Sequence, residues 1–472
     1  MDQPVDLLVL GGGTAGIVGS KTAAGLGART VLVEQARTGG DCLWTGCVPS
    51  KTILAAAAQA AADRSAAGME PDFTQVRSRI RTAISTIEPE DSPAALEAAG
   101  VTVVSGTARF TAPGTAVVAG EVIRFRQALI ATGSSPAVPP IPGLQGAEYV
   151  TSETIWDLQQ LPGRLVVIGG GPLACELGQA FARLGSRVTV LARSGLLPKE
   201  DRDAARLVTA SLERDGAAIL EHDAVEEIHH SDASGTMVLT SAGRRLEADV
   251  LLVATGRTPH TPALGLQSVG VECDESGHVL VDHSMRSSNS SIWAAGDVTA
   301  HPKFTHLAGV HAATAASNAI LGLRRRVSST VPRVTYTSPE VAAVGVTEAS
   351  QPGLRVSTVS LKDTDRAVTE GSSEGFVRLV LGKRGRILGG TIVGPRAGES
   401  LGELTLAVSK KMSALELAGI THAYPTYNDA LWNAAIAHAR TGLDSQFAKL
   451  LTGTLAGAVR HHQERRRRQR SA

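Results

Sequence analysis

The stretch VDLLVLGGGTAGIVGSKTAAGLGARTVLVE, residues 5–34, decides the fold of the N-terminal part of this chain. It begins with a run of six residues, apolar except for Asp6, that ends at three consecutive glycines. An alanine-rich segment follows over 14–26, and a second apolar run covers 29–34. Short apolar runs next to glycines predict buried strands, and the longer alanine-rich segment predicts a helix. The order strand, glycine turn, helix, strand predicts a parallel βαβ unit.

The glycines of this stretch have the spacing of a phosphate-binding turn. Gly11, Gly13 and Gly16 form G-x-G-x-x-G directly after the strand, and Glu34 ends the next strand. Gly11 permits the tight turn, Gly13 lets a pyrophosphate approach the backbone, and Gly16 allows close helix packing. The helix N-terminus favours negative charge, and Glu34 can accept hydrogen bonds from ribose hydroxyls. The stretch predicts a dinucleotide site, and a glycine-rich turn without a ligand is the alternative.

The same pattern recurs over 164–190. Gly169 and Gly171 lie at its turn, and Ala174 replaces the third glycine. Two such units in one chain predict two dinucleotide sites.

The second unit carries a cofactor preference at the end of its second strand. Ala192 stands where an acidic residue would favour an unphosphorylated ribose, and Arg193 follows it. Arg193 and Lys199 could hold a 2′-phosphate by charge-assisted hydrogen bonds. NADPH is therefore favoured over NADH, and the alternative is that both are ordinary surface cations.

A close pair of cysteines lies in GGDCLWTGCVPSK, residues 39–51, before an alanine-rich helix. On a regular helix Cys42 and Cys47 would point about 140° apart, so a disulfide needs a distorted turn, which Gly46 allows. The following helix would lower the pKa of a thiolate at its N-terminus. Metal binding is a poor alternative because no other cysteine or histidine lies at ligand spacing nearby. The pair is predicted to be redox-active, whereas Cys175 and Cys273 are interpreted as structural.

Composition excludes several classes of protein. The 472 residues have a formal net charge of +1 and 3% aromatic residues. Neither nucleic-acid binding nor membrane-surface binding is expected from so balanced a charge with so few stacking side chains. Without an 18-residue apolar stretch, a signal-peptide pattern or a disulfide framework, the expectation is a cytoplasmic chain.

The basic tail is the exception to this charge balance. Residues 460–472 carry six arginines and one glutamate, a local charge of +5. A solvated, disordered tail is the favoured interpretation, and contact with nucleic acid or a membrane is the alternative.

The segment 39–51 resembles the active site of the FAD-dependent pyridine nucleotide-disulfide oxidoreductases, which include dihydrolipoamide dehydrogenase, glutathione reductase and mercuric reductase. Further resemblances run through most of the chain. Two segments resemble the family's ATG turns: Ala131–Gly133, which contains Thr132, and Ala254–Arg257, which contains Gly256. Ala295–Asp297, with Gly296 at its centre, resembles the AGD motif, and Val334–Glu340 resembles the opening of a dimerisation domain. The resemblance implies bound FAD, with Asp297 contacting its ribityl chain, and a homodimer.

The resemblance also implies roles for individual residues. Cys47 would be the sulfur beside the flavin that forms the charge-transfer thiolate, and Cys42 would exchange with substrate. Lys51 matches a lysine near flavin N5, and Glu176 matches the glutamate that pairs with it. Hydride would pass from the nicotinamide to FAD, and electrons from FAD to the disulfide.

The fold class implied is α/β, with two Rossmann-like FAD- and NAD(P)-binding domains and a C-terminal α+β dimerisation domain. The expected boundaries are an FAD-binding domain at 1–149 with a return segment at 265–330, an NAD(P)-binding domain at 150–264, a dimerisation domain at 331–450 and a disordered tail at 451–472.

The chain departs from the disulfide reductases in the segment 421–429, THAYPTYND. Those enzymes have a histidine where Tyr424 stands and a glutamate where Asp429 stands, and that pair moves protons at the exchanging thiol. A tyrosine is a poor base near pH 7 because its ordinary pKa is about 10. His422, two residues earlier, is an alternative base.

Mercuric reductases resemble the chain better here, since they too place a tyrosine at this position. They also end in a vicinal cysteine pair, whereas no cysteine follows Cys273. Three functions remain open: an NADPH-dependent flavoprotein that reduces a small electrophile, metal ion or quinone; a dihydrolipoamide dehydrogenase or small disulfide reductase; and a non-catalytic redox sensor. No resident metal ion is expected.

Overall fold

The computed structural model describes residues 3–69, 71–231, 235–348, 352–443 and 446–470. It divides into two compact units, Met1–Pro198 with Thr209–Ser329, and Lys199–Val208 with Thr330–Ala472. The helices are α1 (Thr14–Gly25), α2 (Gly40–Trp44), α3 (Cys47–Ala67), α4 (Phe73–Asp91), α5 (Pro93–Ala98), α6 (Pro172–Leu184), α7 (Arg202–Arg214), α8 (Thr305–Leu321), α9 (Asp365–Thr369), α10 (Ala397–Ser409), α11 (Ala414–Ala418), α12 (Asp429–Leu443) and α13 (Gln446–Arg470).

The strands of the first unit are β1 (Val5–Leu10), β2 (Thr30–Glu34), β3 (Val101–Ser105), β4 (Ala108–Ala112), β5 (Thr115–Val118), β6 (Glu121–Ile130), β7 (Ser134–Pro136), β8 (Tyr149–Val150), β9 (Arg164–Ile168), β10 (Arg187–Ala192), β11 (Ala218–Glu221), β12 (Val225–Ser231), β13 (Gly235–Thr240), β14 (Arg245–Ala248), β15 (Val250–Val253), β16 (Arg257–Pro259) and β17 (Ile292–Ala294). Those of the second unit are β18 (Arg333–Thr335), β19 (Glu340–Gly345), β20 (Arg355–Ser360), β21 (Phe376–Leu381) and β22 (Ile387–Gly394).

The first sheet contains the predicted N-terminal βαβ unit. Its strand order is β3-β2-β1-β6-β5-β4, and β17 also pairs with β6. The pairs β1–β2, β1–β6, β2–β3 and β6–β17 are parallel, as a βαβ connection requires. Strand β1 is almost wholly buried, which fits a parallel strand covered on both faces. Because β17 lies far along the sequence, the chain returns to this sheet after building the next one.

The second sheet contains the repeated unit. Its order is β11-β10-β9-β15-β8, and each pairing in it is parallel. Helix α6 connects β9 to β10, so the second βαβ prediction is confirmed. The first unit also contains the antiparallel sheet β12-β13-β14 and the pair β16–β7.

The second unit is built on the antiparallel sheet β18-β19-β22-β21-β20. Helices α10 and α12 pack against this sheet, and the apolar core lies between them. Ion pairs tie the short segment Lys199–Val208 to the sheet within this unit: Arg333 Nε lies 2.6 Å from Glu200 Oε1, and Arg378 binds Asp201 and Asp203.

The prediction of a disordered tail over 451–472 is wrong for the described part, because α13 extends to Arg470. Leucine, alanine, glutamine and arginine are good helix formers, and no proline interrupts this segment. Its side chains over 451–469 are almost all exposed. Residues 471–472 lie outside the described residues.

The fold class is α/β with Rossmann-like parallel sheets and a separate α+β unit, as expected. The domain boundaries given above remain a prediction. Over the described ranges, no helix is long and apolar enough to span a membrane.

Candidate active site

The two cysteines lie on either side of a break between two helices. Cys42 is in α2, which ends at Trp44, and Cys47 is the first residue of α3. Gly46 makes the break possible, because a Cβ on it would lie 2.7 Å from the carbonyl oxygen of Asp41. The distorted turn expected at Gly46 is therefore present, and both cysteines are half-buried free thiols.

Helix α2 lies directly on the first glycine turn. Gly39 N donates to the carbonyl oxygen of Gly12 at 2.9 Å. A Cβ on Gly40 would lie 2.5 Å from Gly13 Cα, and its φ of +58° is one that glycine adopts without strain. The segment that carries Cys42 is thus held against the proposed pyrophosphate-binding backbone.

The two thiols have opposite electrostatic environments. The hydrogen bond between them raises the pKa of the Cys42 thiol far above its ordinary range, and burial acts in the same direction. That hydrogen bond also lowers the pKa of Cys47 to about 6, although burial opposes it. Thr305 and Lys51 lower the pKa of Cys47 further. The negative charge of the reduced pair therefore resides on Cys47, the sulfur at the helix N-terminus.

Lys51 and Glu176 form an ion pair one turn along α3. Lys51 Nζ lies 2.8 Å from Glu176 Oε2. The side chain of Glu176, on α6, is 5% exposed, and that of Lys51 is 38% exposed. The pair joins the helix that carries Cys47 to the helix of the second dinucleotide unit.

The first glycine turn has space for a pyrophosphate. The nearest atom to a Cβ on Gly13 would be Gly40 Cα at an ordinary 3.6 Å, and no side chain among the described residues caps the first amides of α1. By contrast, a Cβ on Gly16 would lie 1.8 Å from the carbonyl oxygen of Gly11. Glu34 accepts from Gly12 N at 2.6 Å, which fixes its carboxylate beside the turn. These residues fit the adenosine diphosphate part of FAD.

The second glycine turn is also open. A Cβ on Gly171 would meet no atom within 4 Å, whereas one on Gly169 would lie 2.4 Å from the carbonyl oxygen of Ala254. Ala174 is buried in α6, as close helix packing requires. The turn fits the pyrophosphate of a nicotinamide nucleotide.

The residues expected to choose the nucleotide are separated between the two units. Ala192 is buried and Arg193 is exposed after β10, whereas Lys199 begins the segment assigned to the second unit. The sequence analysis missed Glu221 on the adjacent strand, whose Oε1 accepts from Leu196 N at 2.7 Å. Arg193 and Lys199 are both exposed, and their role at a 2′-phosphate remains a prediction.

Asp297 belongs to a charged network that reaches the cysteine segment. Arg257 Nε lies 3.2 Å from Asp297 Oδ2, and the same guanidinium binds Asp41, the neighbour of Cys42. Ser134 Oγ donates to Asp297 Oδ2 at 3.0 Å. The other expected cofactor residues lie on turns after strands, with Thr132 and Gly133 after β6, Gly256 between β15 and β16, and Gly296 after β17.

Tyr424 does not have the properties of a base. Its side chain is exposed (68% for the residue), and its hydroxyl donates to Asp365, which raises its pKa above the ordinary value. Asp429 is buried at the start of α12, where its Oδ2 accepts from Thr426 N at 2.9 Å. The structure therefore joins Tyr424 to Asp365 rather than to Asp429.

His422, the alternative base, has both ring nitrogens engaged. Nδ1 donates to the carbonyl oxygen of Ile420 at 2.9 Å, and Nε2 lies 2.6 Å from Glu403 Oε1. The ring also stacks on Trp432 with 5.2 Å between centroids. These contacts engage both ring nitrogens of His422 within the second unit.

A cleft between α3 and α4 adjoins the cysteine pair. It has a volume of about 910 Å³, and Cys47 and Lys51 contribute to its wall. Its other lining side chains are mainly small, aliphatic or hydroxylated, with Arg79 as an added cation. Among the described residues, no group of histidine, cysteine, aspartate or glutamate is arranged to hold a metal ion. Cys175 is buried in α6 and Cys273 is exposed.

The chain has two parallel sheets, each with a dinucleotide-type turn, and a cysteine pair that packs against the first turn. This combination defines a flavoprotein disulfide oxidoreductase. Residues 5–316 match the pyridine nucleotide-disulphide oxidoreductase family, and residues 331–435 match its dimerisation domain. The chain therefore belongs to the pyridine nucleotide-disulphide oxidoreductase family. It is an FAD-dependent oxidoreductase that uses a pyridine nucleotide.

Several relatives are mercuric reductases. The chain is 36% identical over 454 residues to that of Acidithiobacillus ferrooxidans, covering 92% of this chain and 82% of the relative. It is also 36% identical over 451 residues to that of Streptomyces lividans, covering 91% and 95% respectively.

Similar solved structures include LpdA from Mycobacterium tuberculosis, with a TM-score of 0.85 and 28% identity over 92% of this chain and 99% of that one. The Cu(II) complex of the HOCl-induced flavoprotein disulfide reductase RclA from Escherichia coli has a TM-score of 0.84 and 26% identity, over 92% and 99%.

Proposed function

We propose that this protein transfers two electrons from NADPH, through FAD, to the Cys42–Cys47 disulfide and from there to a small acceptor. The observation that carries the proposal is the position of Cys47. It is the first residue of α3, is hydrogen-bonded to Cys42 and precedes the Lys51–Glu176 ion pair by one helical turn. A purely structural cysteine pair would need neither the lowered pKa nor this ion pair.

Each of the four residues Cys42, Cys47, Lys51 and Glu176 has its own role in the proposed reaction. Bound FAD would supply the two-electron chemistry, since a flavin accepts hydride from a nicotinamide and passes an electron pair to a disulfide. One NADPH and one proton are consumed, the S–S bond breaks, and two thiol groups form. Cys42 keeps its proton and Cys47 releases its own at neutral pH. Lys51 places a positive charge near the reacting atoms, and Glu176 keeps that ammonium in position.

The hydrogen bonding of the two candidate bases, Tyr424 and His422, favours a small acceptor over a peptide or lipoyl disulfide. Disulfide exchange by Cys42 needs a base, because the thiolate is the nucleophile. Tyr424 is held in its protonated form and His422 has both nitrogens engaged. Electron transfer to a quinone does not require that base, and a soft metal ion displaces thiol protons when it binds.

The cleft of about 910 Å³ beside the cysteine pair is lined by Cys47 and Lys51, the two residues assigned to the flavin, and Cys42 is not among its lining residues. It therefore supports a place for the flavin beside Cys47 and does not choose between acceptors. The second candidate, reduction of a soft metal ion, is supported by the mercuric reductase relatives and by the affinity of thiolates for such ions.

The preference for NADPH and the formation of a homodimer belong to the same proposal. Arg193 supports NADPH over NADH, and the dimerisation domain supports a homodimer. The roles of Cys42, Cys47, Lys51 and Glu176, an FAD-binding domain at 1–149 and 265–330, an NAD(P)-binding domain at 150–264 and a dimerisation domain at 331–450 are part of the same proposal.

The test is an acceptor panel with NADPH as donor, comprising Hg²⁺, menadione, lipoamide and glutathione disulfide. We expect turnover of menadione or Hg²⁺ and its loss in Cys47→Ser, with flavin content unchanged. Turnover of lipoamide or glutathione disulfide would overturn the choice of acceptor. Flavin reduction by NADPH too slow for any turnover would favour a redox sensor and overturn the proposal.

A further inference from the structure

One contact to Cys47 comes from a distant part of the chain. Thr305 Oγ1 lies 3.2 Å from Cys47 Sγ, although 258 residues separate the two in sequence. Thr305 is the first residue of the 17-residue helix α8, so the sulfur at the start of α3 meets the start of a second helix. The partial positive charge of both helix ends favours an anion at this point.

The chemistry of the contact depends on the charge of the sulfur. A hydroxyl can donate or accept, whereas a thiolate can only accept. When Cys47 is ionised, the Thr305 hydroxyl therefore donates a charge-assisted hydrogen bond, which is stronger than a bond to a neutral thiol. The contact consequently stabilises the thiolate more than the thiol.

Four groups act on the charge of Cys47, each from a different helix. Cys42 in α2 donates a hydrogen bond, Lys51 in α3 attracts the thiolate, and Glu176 in α6 repels it. Thr305 in α8 is the hydroxyl in this set; it lowers the pKa of both thiols, but its 3.2 Å contact is to the sulfur of Cys47. Because the Lys51 and Glu176 charges oppose each other, the hydrogen bonds decide where the negative charge resides.

We propose that Thr305 is a positioning residue that places the negative charge of the reduced cysteine pair on Cys47 rather than Cys42. This proposal rests on the proposed function, in which the reduced pair is the electron donor. The uncharged Cys42 then remains free to meet the acceptor while Cys47 stays at the helix N-terminus.

The experiment measures how the alkylation of each sulfur depends on pH, which reports its thiolate fraction. The holoenzyme is reduced anaerobically and treated with iodoacetamide across a pH series, and alkylation of Cys42 and Cys47 is quantified by peptide mass spectrometry. Thr305→Val removes the hydroxyl at nearly constant volume, and Thr305→Ser retains it. Thr314→Val is the matched control within α8, because the Thr314 hydroxyl donates to the carbonyl oxygen of Val310 in the same helix.

In the unmodified protein and in Thr314→Val, Cys47 should be alkylated with a midpoint near its pKa of about 6. In Thr305→Val the midpoint should rise by about one pH unit, a tenfold change in the ionisation constant, and the share of label on Cys42 should increase. Thr305→Ser should stay close to the unmodified protein. If Thr305→Val fails to fold, Thr305→Ala, which cannot crowd α3, replaces it.

An unchanged midpoint in Thr305→Val or Thr305→Ala overturns the proposal, as does an equal shift in Thr305→Ser, which retains the hydroxyl. These outcomes are separable from failure of the proposed function. Alkylation reports the thiolate whether or not NADPH reduces the pair, so a pair that NADPH cannot reduce would overturn the function while the midpoint shift still tests Thr305.

Discussion

The Nζ of Lys51 lies 2.8 Å from Oε2 of Glu176, and this ion pair connects the cysteine helix α3 with α6 of the second dinucleotide unit. Lys51 follows Cys47 by four residues, so one helical turn separates the thiolate from the ammonium. The carboxylate is almost fully buried, which makes the geometry of the pair well defined. One short contact thereby joins the cysteine helix to the helix of the second glycine turn.

Lys51→Met should lower both stability and the rate of flavin reduction by NADPH. Removing the ammonium leaves the buried Glu176 carboxylate without its cation, at a cost of about 1–3 kcal/mol. Urea denaturation and anaerobic stopped-flow absorbance measure the two effects. Lys21→Met is the control, since Lys21 Nζ donates to the exposed carbonyl oxygen of Glu90 and its charge acts on Asp91, which is less buried than Glu176. Equal stability of the two variants would contradict the account.

The reactivity of the reduced cysteines should depend on pH in a defined direction. Cys47 has a pKa lowered to about 6, so its alkylation should rise to a plateau above pH 6, whereas Cys42 has a raised pKa and should stay unreactive there. Cys42→Ala should move the Cys47 midpoint to higher pH because the hydrogen bond is lost. Cys42→Ser, which keeps a donor, should move it less. Preferential labelling of Cys42 at pH 7 would refute this assignment.

Gly46→Ala should disturb the turn between the cysteines. Its Cβ would lie 2.7 Å from the Asp41 carbonyl oxygen, so the backbone has to shift, at a cost of about 2 kcal/mol. Thermal unfolding measures the loss, and the rate of Cys42–Cys47 disulfide formation should fall with it. Gly25→Ala is the matched control, because its Cβ would meet no atom within 4 Å near the end of α1. A Gly46→Ala protein as stable as this control would contradict the geometry.

Gly171→Ala should weaken NADPH binding without affecting the fold. The new methyl group would enter open space beside the turn, where the account places the pyrophosphate. We expect the KM for NADPH to rise by about tenfold, with flavin content and Tm unchanged. Gly146→Ala adds a methyl group to open space away from both turns and should leave the KM unchanged. An unaltered KM in Gly171→Ala would place the nucleotide elsewhere.

The sequence was sufficient for those features that depend on neighbours along the chain. The order strand, glycine turn, helix, strand is local, so β1, α1 and β2 and their repeat at β9, α6 and β10 could be predicted. The break at Gly46 was also predictable, because a five-residue spacing of cysteines does not fit one regular helix. The tail was predicted wrongly because its charge suggested disorder, although its leucine, alanine and arginine residues favour a helix.

The contacts that complete the site were not accessible to the same reasoning. Thr305 is 258 residues from Cys47, and Arg257 is 216 residues from Asp41. Thr305 follows β17, which returns the chain to the first sheet, and Arg257 lies in β16, which pairs with the distant β7. Hydrophobic periodicity does not encode either pairing. The contact between His422 and Glu403 was likewise unpredictable, since sequence does not distinguish a catalytic histidine from one whose ring is held by hydrogen bonds.

The most direct test of the central claim is an anaerobic titration of the oxidised holoenzyme with NADPH, with free thiols located by alkylation and mass spectrometry. The account predicts that the first equivalent of NADPH produces two new thiols per chain, at Cys42 and Cys47, and that Cys42→Ser and Cys47→Ser produce none by this route. Reduction of the flavin by that equivalent with no new thiol at either cysteine would contradict it.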